Sequence, residues 1–371
     1  MVDLSSQYLR LKDEIDQAVK DVFKSGAYIN GPAVKIFCER LASYLDIPHA
    51  IPCGNCTDAL RIALQALQIG PENEVIVPAF TYIAPFEAIA SVGASPVVVD
   101  VDSKSFNINP ALIEKAITAR TKAIIVVHLF GQSCDIEPIL KVADKYKLYL
   151  VEDNAQSLGA SYRYSNGQSK KLGTIGAIGT TSFFPTKPLS CYGDGGALFT
   201  SDSELAEQIR LLSTHGQTKK YHHKIIGSNS RLDTVQAAIL NVKLNYMALF
   251  TERRIQIAER YDKDLKNCPE LVLPEKCNYS SHVYHQYTLQ VKNNKRDALK
   301  AFLAEKGIPS MVYYPLPVHK QEAYKWVVRL SGQLNESERL CHEVLSLPIH
   351  SEMTNEAQSF IIQSINQFFF K

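Results

Sequence analysis

The chain predicts an α/β fold: a large, mostly parallel sheet covered by helices on both faces, followed by a smaller α+β unit. Three observations lead there. Between residues 74 and 200, short and continuously apolar runs alternate with helical patterns, as strands buried on both faces require. A length of 371 residues is too great for one small domain. After Gly227 the alternation gives way to long helical periodicity and then to mixed strand and helix patterns. The division expected from this is a large domain over 1–245 and a small one over 246–371.

The elements follow in order. Leu9, Leu11, Ile15, Val19, Val22 and Phe23 recur at helical spacing, and Gly26 with Asn30-Gly31-Pro32 ends that helix. Val34, Phe37, Leu41 and Leu45 mark one face of a second helix. A short apolar run at 49–53 precedes Gly54-Asn55-Cys56-Thr57, which opens a helix over 58–68 that Gly70-Pro71 stops. Strands are read at 74–77, 96–101, 123–128, 148–152, 179–184 and 196–200, with helices at 84–91, 110–118 and 136–146. Residues 232–266 read as one or two long helices. A strand at 284–291 and helices at 295–306 and 351–368 complete the smaller unit. In such a sheet the ligand binds in loops beyond the strand ends.

Composition narrows the function classes. A net charge of +2 without a block of like charges gives no reason to expect nucleic acid or a membrane surface as partner. Hydrophobic content of 46% with 21% charged residues is ordinary for a soluble globular protein. No apolar run approaches the roughly 18 residues a bilayer crossing needs. The charged, amphipathic start does not read as a signal peptide. Eight scattered cysteines read as reduced thiols, so a cytoplasmic setting is expected. Cys53-Gly54-Asn55-Cys56 is a single close pair with no second one to complete a zinc site, and no metal is expected.

The chemistry centres on residues 180–197, TTSFFPTKPLSCYGDGGA. A β-like run breaks at Pro185, and Lys187 follows just before a glycine cluster. A lysine held between a strand end and a tight turn suits a Schiff base with pyridoxal phosphate, because burial favours the neutral, nucleophilic amine. Such a cofactor also needs an acid for its pyridine nitrogen, a phosphate cup, an aromatic face and a hydrogen bond to its ring oxygen. Asp153 ends a buried strand and is the candidate acid, against the alternative of a helix cap. Gln156 follows as a partner for the ring oxygen. Asn55-Cys56-Thr57 at a helix start offers backbone amides and a dipole to a phosphate, though Thr57 also suits a plain N-cap. Ser182 adds a hydroxyl or merely packs. Tyr82 is the candidate ring face, with Phe80 competing and the core as the plain alternative. Gly227-Ser228-Asn229-Ser230-Arg231 has the form of an anion-binding loop or of a simple helix entry. Tyr313-Tyr314-Pro315-Leu316-Pro317-Val318-His319 is a rigid aromatic loop that closes over a substrate or packs as a linker.

Taken together, these residues resemble the DegT/DnrJ/EryC1/StrS family of nucleotide-sugar aminotransferases. The matching pieces are Asn30-Gly31-Pro32, Asn55-Cys56-Thr57-Asp58-Ala59-Leu60, Pro78-Ala79-Phe80-Thr81-Tyr82, His128-Leu129-Phe130-Gly131-Gln132, Glu152-Asp153-Asn154-Ala155-Gln156, Ser182-Phe183-Phe184-Pro185-Thr186-Lys187 and Tyr313-Tyr314-Pro315. The resemblance implies an aspartate-aminotransferase-like fold (type I) and a homodimer with sites at the subunit interface. It implies that Lys187 bears the cofactor and shuttles protons, Asp153 meets the pyridine nitrogen, Gln156 the ring oxygen, and that Tyr82 stacks. Cys56, Thr57 and Ser182 would hold the phosphate, and Asn229 would reach it from the partner subunit. Arg231, Tyr313, Tyr314 and His319 would line the sugar-nucleotide site. Cys56 departs from the family's usual glycine.

By the same resemblance, glutamate converts pyridoxal 5'-phosphate to pyridoxamine phosphate, and the amine then passes to a ketone on a nucleotide-linked sugar. The lysine stretch is most similar to members that aminate C3 of a UDP-linked 3-keto sugar, including uronic acids. A 4-keto sugar on dTDP, UDP or GDP is the alternative. A non-catalytic, cofactor-binding regulator would be expected to lose Lys187 or Asp153, and a sugar dehydratase of this family has histidine in place of the lysine. A nicotinamide enzyme would need a glycine-rich fingerprint that is absent.

Overall fold

The computed structural model describes residues 1–325 and 327–370. Its centre is an eight-stranded sheet in the order His49–Cys53, Gly196–Thr200, Ile178–Ser182, Tyr149–Asp153, Thr121–Val127, Glu74–Pro78, Ser95–Val99, Arg329–Leu330. Gly196–Thr200 runs antiparallel to both of its neighbours. Every other adjacent pair is parallel. The parallel run is wound by the helices Ala84–Ser91, Pro110–Ala116 and Ile136–Tyr146, each joining consecutive strands.

The continuous apolar strands are explained by two cores. Along Glu74–Pro78, Val75 and Val77 join the cluster that holds Leu60, Phe86 and Ile209 on one side. Ile76, between them, joins Ile113, Ile136 and Ile139 on the other. Alternating side chains thus fill opposite layers, and neither face of the strand can be polar.

Beyond the predicted helical stretch, which is two helices, Thr234–Leu244 and Met247–Leu265, a second core forms. A three-stranded antiparallel sheet of Leu271–Val272, Tyr287–Val291 and Val344–Leu347 packs with Arg296–Glu305 and Asn355–Phe369. Tyr261, Tyr287, Leu299 and Ile365 lie in this core. The chain does not stay there. At Arg329–Leu330 it returns to the large sheet and pairs with Val97 and Val98. The buried carboxylate of Glu74 anchors that return through Arg329, at 3.1 Å, and also pairs with Arg120 at 2.6 Å. The sequence reading did not foresee this return, nor the helices Ser203–Ser213 and Asn335–Glu343.

Candidate active site

Asp153 is the last residue of Tyr149–Asp153 and lies buried at the carboxyl end of the parallel strands. Its Oδ1 accepts the Ala155 N–H at 3.0 Å and lies 3.8 Å from Cys56 Sγ. Among the described residues nothing hydrogen-bonds to Oδ2. Burial raises the Asp153 pKa, and the Ala155 amide and the Lys187 charge offset only part of that. Lys187 follows the neighbouring strand, in a turn closed by its N–H donating to Phe184 O at 2.9 Å. Burial lowers the Lys187 pKa, and Asp153 and then Cys56 oppose the shift in part. Desolvation pushes each toward its neutral form, and the charge of each opposes the other's shift in part; Asp153 is buried and Lys187 is partly buried.

The helix Cys56–Ala66 starts beside them. Asn55 caps it, Oδ1 accepting the Asp58 N–H at 2.8 Å, which accounts for one of the start's amides. Cys56 is its first residue, with a buried thiol whose pKa is raised by desolvation. Gly196 lies against this start: a Cβ there would come 2.7 Å from the Asn55 carbonyl carbon and 3.0 Å from Cys56 N. Ser182 pairs with Gly196 in register, so the serine is held at the same place as the helix start. Its Oγ accepts the Phe184 N–H at 3.2 Å. Thr57 is partly exposed and its hydroxyl makes no hydrogen bond among the described residues. Glycine at 196 is what admits this close approach.

Gln156 is buried. Its Oε1 accepts the Phe130 N–H at 2.8 Å and its Nε2 donates to Tyr314 Oη at 3.2 Å. Burial pushes the Tyr314 phenol upward. The two aromatic candidates separate clearly: Phe80 is core, whereas Tyr82 is 57% exposed, its ring 6.2 Å from that of Tyr314. Tyr313, half-buried, packs edge-on against Tyr314. The loop before Thr234–Leu244 is tied to the helix start, because Ser230 Oγ accepts the Gly54 N–H at 3.0 Å and donates to Asp58 Oδ2 at 2.8 Å. Asn229 in that loop is exposed, and the Arg231 guanidinium makes no hydrogen bond among the described residues. His319 differs: its buried ring lies 3.1 Å from Glu338 Oε1. The adjacent Val318 N–H donates to Ala79 O at 3.4 Å, so its loop borders the Tyr82 segment.

Three further residues, a pair and a single histidine, belong to this neighbourhood. His128 and Glu152 form a fully buried pair at 2.9 Å, and Glu152 also accepts the amides of Gly173, Ile175 and Gly176. His285 is buried, its Nδ1 without a partner among the described residues, and its pKa is driven well down by burial and then by the charges of Lys187 and Arg254. Neither role carries a local signal. In an apolar run, a histidine such as His285 reads as core.

The donor set fits pyridoxal phosphate: a buried carboxylate with an open oxygen, an amine held toward neutrality, and a helix start beside two hydroxyls. The model of the DegT/DnrJ/EryC1/StrS aminotransferase family matches residues 9–366. The chain belongs to this family. It is a pyridoxal-phosphate-dependent sugar aminotransferase with the type I fold. It is similar to a pleiotropic regulatory protein of Geobacillus stearothermophilus, 46% identical over 100% of this chain and 98% of that one. It is 44% identical to the UDP-2-acetamido-2-deoxy-3-oxo-D-glucuronate aminotransferase of Pseudomonas aeruginosa, over 94% of each. Among solved structures, a family aminotransferase from Brucella abortus superposes with a TM-score of 0.94 at 42% identity, covering 100% of this chain and 99% of that one.

Proposed function

We propose that this aminotransferase moves an amino group from glutamate to the C3 ketone of a UDP-linked 3-keto sugar, a uronic acid among the candidates, for surface polysaccharide or glycoconjugate synthesis. The observation that carries the reading is the buried Asp153 carboxylate, 3.8 Å from Cys56 Sγ at the start of helix Cys56–Ala66, with Lys187 in the turn after the neighbouring strand. When bound, the cofactor supplies an aldehyde that takes up the amino group and a ring that withdraws electrons. Asp153, through its open Oδ2, would hold the ring nitrogen, Gln156 the ring oxygen, and Tyr82 would cover the ring. Cys56, Thr57 and Ser182, with the helix dipole, would hold the phosphate. Lys187 Nζ would hold the cofactor covalently and serve as the proton carrier at the reacting centre.

The unpaired Arg231 guanidinium, with Tyr313, Tyr314 and His319, lines the sugar-nucleotide pocket in this reading. Arg231 suits either a sugar carboxylate or a diphosphate. In this reading the protein is a cytoplasmic homodimer, and Asn229, exposed in one subunit, reaches the partner subunit's phosphate site. The 3-keto assignment is supported by two relatives named for 3-oxo or 3-dehydro UDP-sugars, at 44% and 42% identity. A relative named for a dTDP-linked 3-amino sugar keeps C3 and widens the choice of nucleotide, whereas one named GDP-perosamine synthase, whose product is a 4-amino sugar, keeps the 4-keto reading as the second one to test. The relative named as a regulator raises a non-catalytic role, but Lys187 and Asp153 are both retained here.

The test is a panel of UDP-, dTDP- and GDP-linked keto sugars with glutamate as donor. Turnover fastest with a UDP-linked 3-keto sugar supports the proposal, and turnover confined to 4-keto sugars overturns it. Borohydride should trap the cofactor on Lys187. A Lys187→Ala chain that still traps it covalently would remove Lys187 from this role.

A further inference from the structure

A second lysine is buried in the same half of the molecule. Lys243, on Thr234–Leu244, is 0% exposed, and its Nζ donates to Ser190 Oγ at 2.6 Å. The ammonium also lies 5.1 Å from the ring centroid of Tyr192. Among the described residues no carboxylate pairs with it. Ser190 and Tyr192 flank Cys191 in the stretch that follows Lys187, and the same helix grips that stretch again. Gln236 accepts the Tyr192 N–H at 2.9 Å and donates to the Tyr192 carbonyl at 3.3 Å. The Cys191 N–H donates to Phe183 O at 2.8 Å, tying the far side of the stretch to the strand end that precedes Lys187. A buried ammonium without an anion costs stability, so packing does not explain a lysine here. What an apolar side chain cannot supply is a directional bond to Ser190 and a cation over Tyr192.

We propose that Lys243 is a positioning residue of the aminotransferase, its ammonium clamping Ser190 and Tyr192 so that the Lys187 turn is held at the cofactor. The inference rests on the reading of Lys187 given above. Loss of the proton slackens the clamp by removing the charge over Tyr192. Burial brings the Lys243 pKa down from 10.5 to about 8, with Cys191 opposing slightly, so the clamp titrates on the mildly alkaline side. The thiol and the phenols facing it are pushed further up. Burial pushes the Cys191 thiol up to about 11 and the Tyr192 phenol up to about 12. Tyr8, edge-on to Tyr192 from the N-terminal helix, is raised by its bond to Asp16. Asp194, the acid of the stretch, is exposed.

The experiment compares wild type with Lys243→Met and Ser190→Ala. In wild type kcat/KM falls above about pH 8 as the clamp opens. Lys243→Met should lower kcat/KM about tenfold, the scale of a misplaced reacting group, and erase that alkaline limb. The cofactor-free Lys243→Met protein should melt higher than wild type below about pH 8, because the buried charge is gone, and the gain should vanish toward pH 10.5. Ser190→Ala should move the limb to lower pH by removing an acceptor of the charged form. Activity that falls while stability rises marks positioning. Wild-type kcat/KM and pH profile in both variants overturn the proposal, as does activity lost only in step with stability. Failure of the Lys187 reading shows separately, as covalent trapping that survives Lys187→Ala.

Discussion

Glu152 and Asp153 are neighbours on one strand, yet they live in opposite electrostatic settings. Successive side chains of a strand point to opposite sides, so one residue's step moves a carboxylate from one environment to another. Burial alone would raise the Glu152 pKa, but His128 and the amides of Gly176 and Gly173 overcome it and hold the acid below its usual range. Asp153 has the Ala155 amide, the charges of Lys187 and His128 and a distant thiol, yet burial wins and its pKa is raised. The satisfied acid is structural. The hungry one is left to bind something.

That contrast can be tested, the largest effect first. Asp153→Asn should keep the fold and bind cofactor but cut kcat by about a thousandfold or more, because an amide no longer keeps the ring nitrogen protonated. Single-turnover kinetics check this, and near-normal turnover would remove Asp153 from the mechanism. Glu152→Gln should act through stability instead, costing about 3 kcal/mol or more by leaving backbone donors unpaired, as read by chemical denaturation. If it unfolds no more easily than wild type, the Glu152 network does not hold the strand end.

The pH dependence should split likewise. A depressed folded pKa means that Glu152 contributes stability above its unfolded value and loses it as pH falls through the folded one. Asp153, with a raised folded pKa, costs stability as pH rises past its unfolded value. Cofactor-free Asp153→Asn should therefore be more stable than wild type at neutral pH and equal to it in acid. A melting series in pH decides it. The smallest effect belongs to Cys56→Gly, which leaves the backbone donors in place and should change cofactor affinity by only about threefold.

The strands around this pair were legible because parallel strands buried on both faces must be apolar throughout, as Val75, Ile76 and Val77 are. Asp153 and Lys187 were legible because each ends or follows such a run. What escaped depends on distant partners. Nothing near Glu152 in the sequence announces Gly173 and Gly176, and nothing near Arg329 announces Glu74. The choice between Phe80 and Tyr82 also lay outside local pattern, since both are aromatics beyond the same strand and only packing sends one inward.

The last strand of the large sheet has a consequence for synthesis. Arg329–Leu330 closes the edge at Ser95–Val99, yet it leaves the ribosome long after the other seven strands. Until then the nascent sheet presents a bare row of donors and acceptors at Val97 and Val98. A fragment ending at residue 245 should carry that open edge permanently and self-associate, whereas the complete chain covers it with its own late segment.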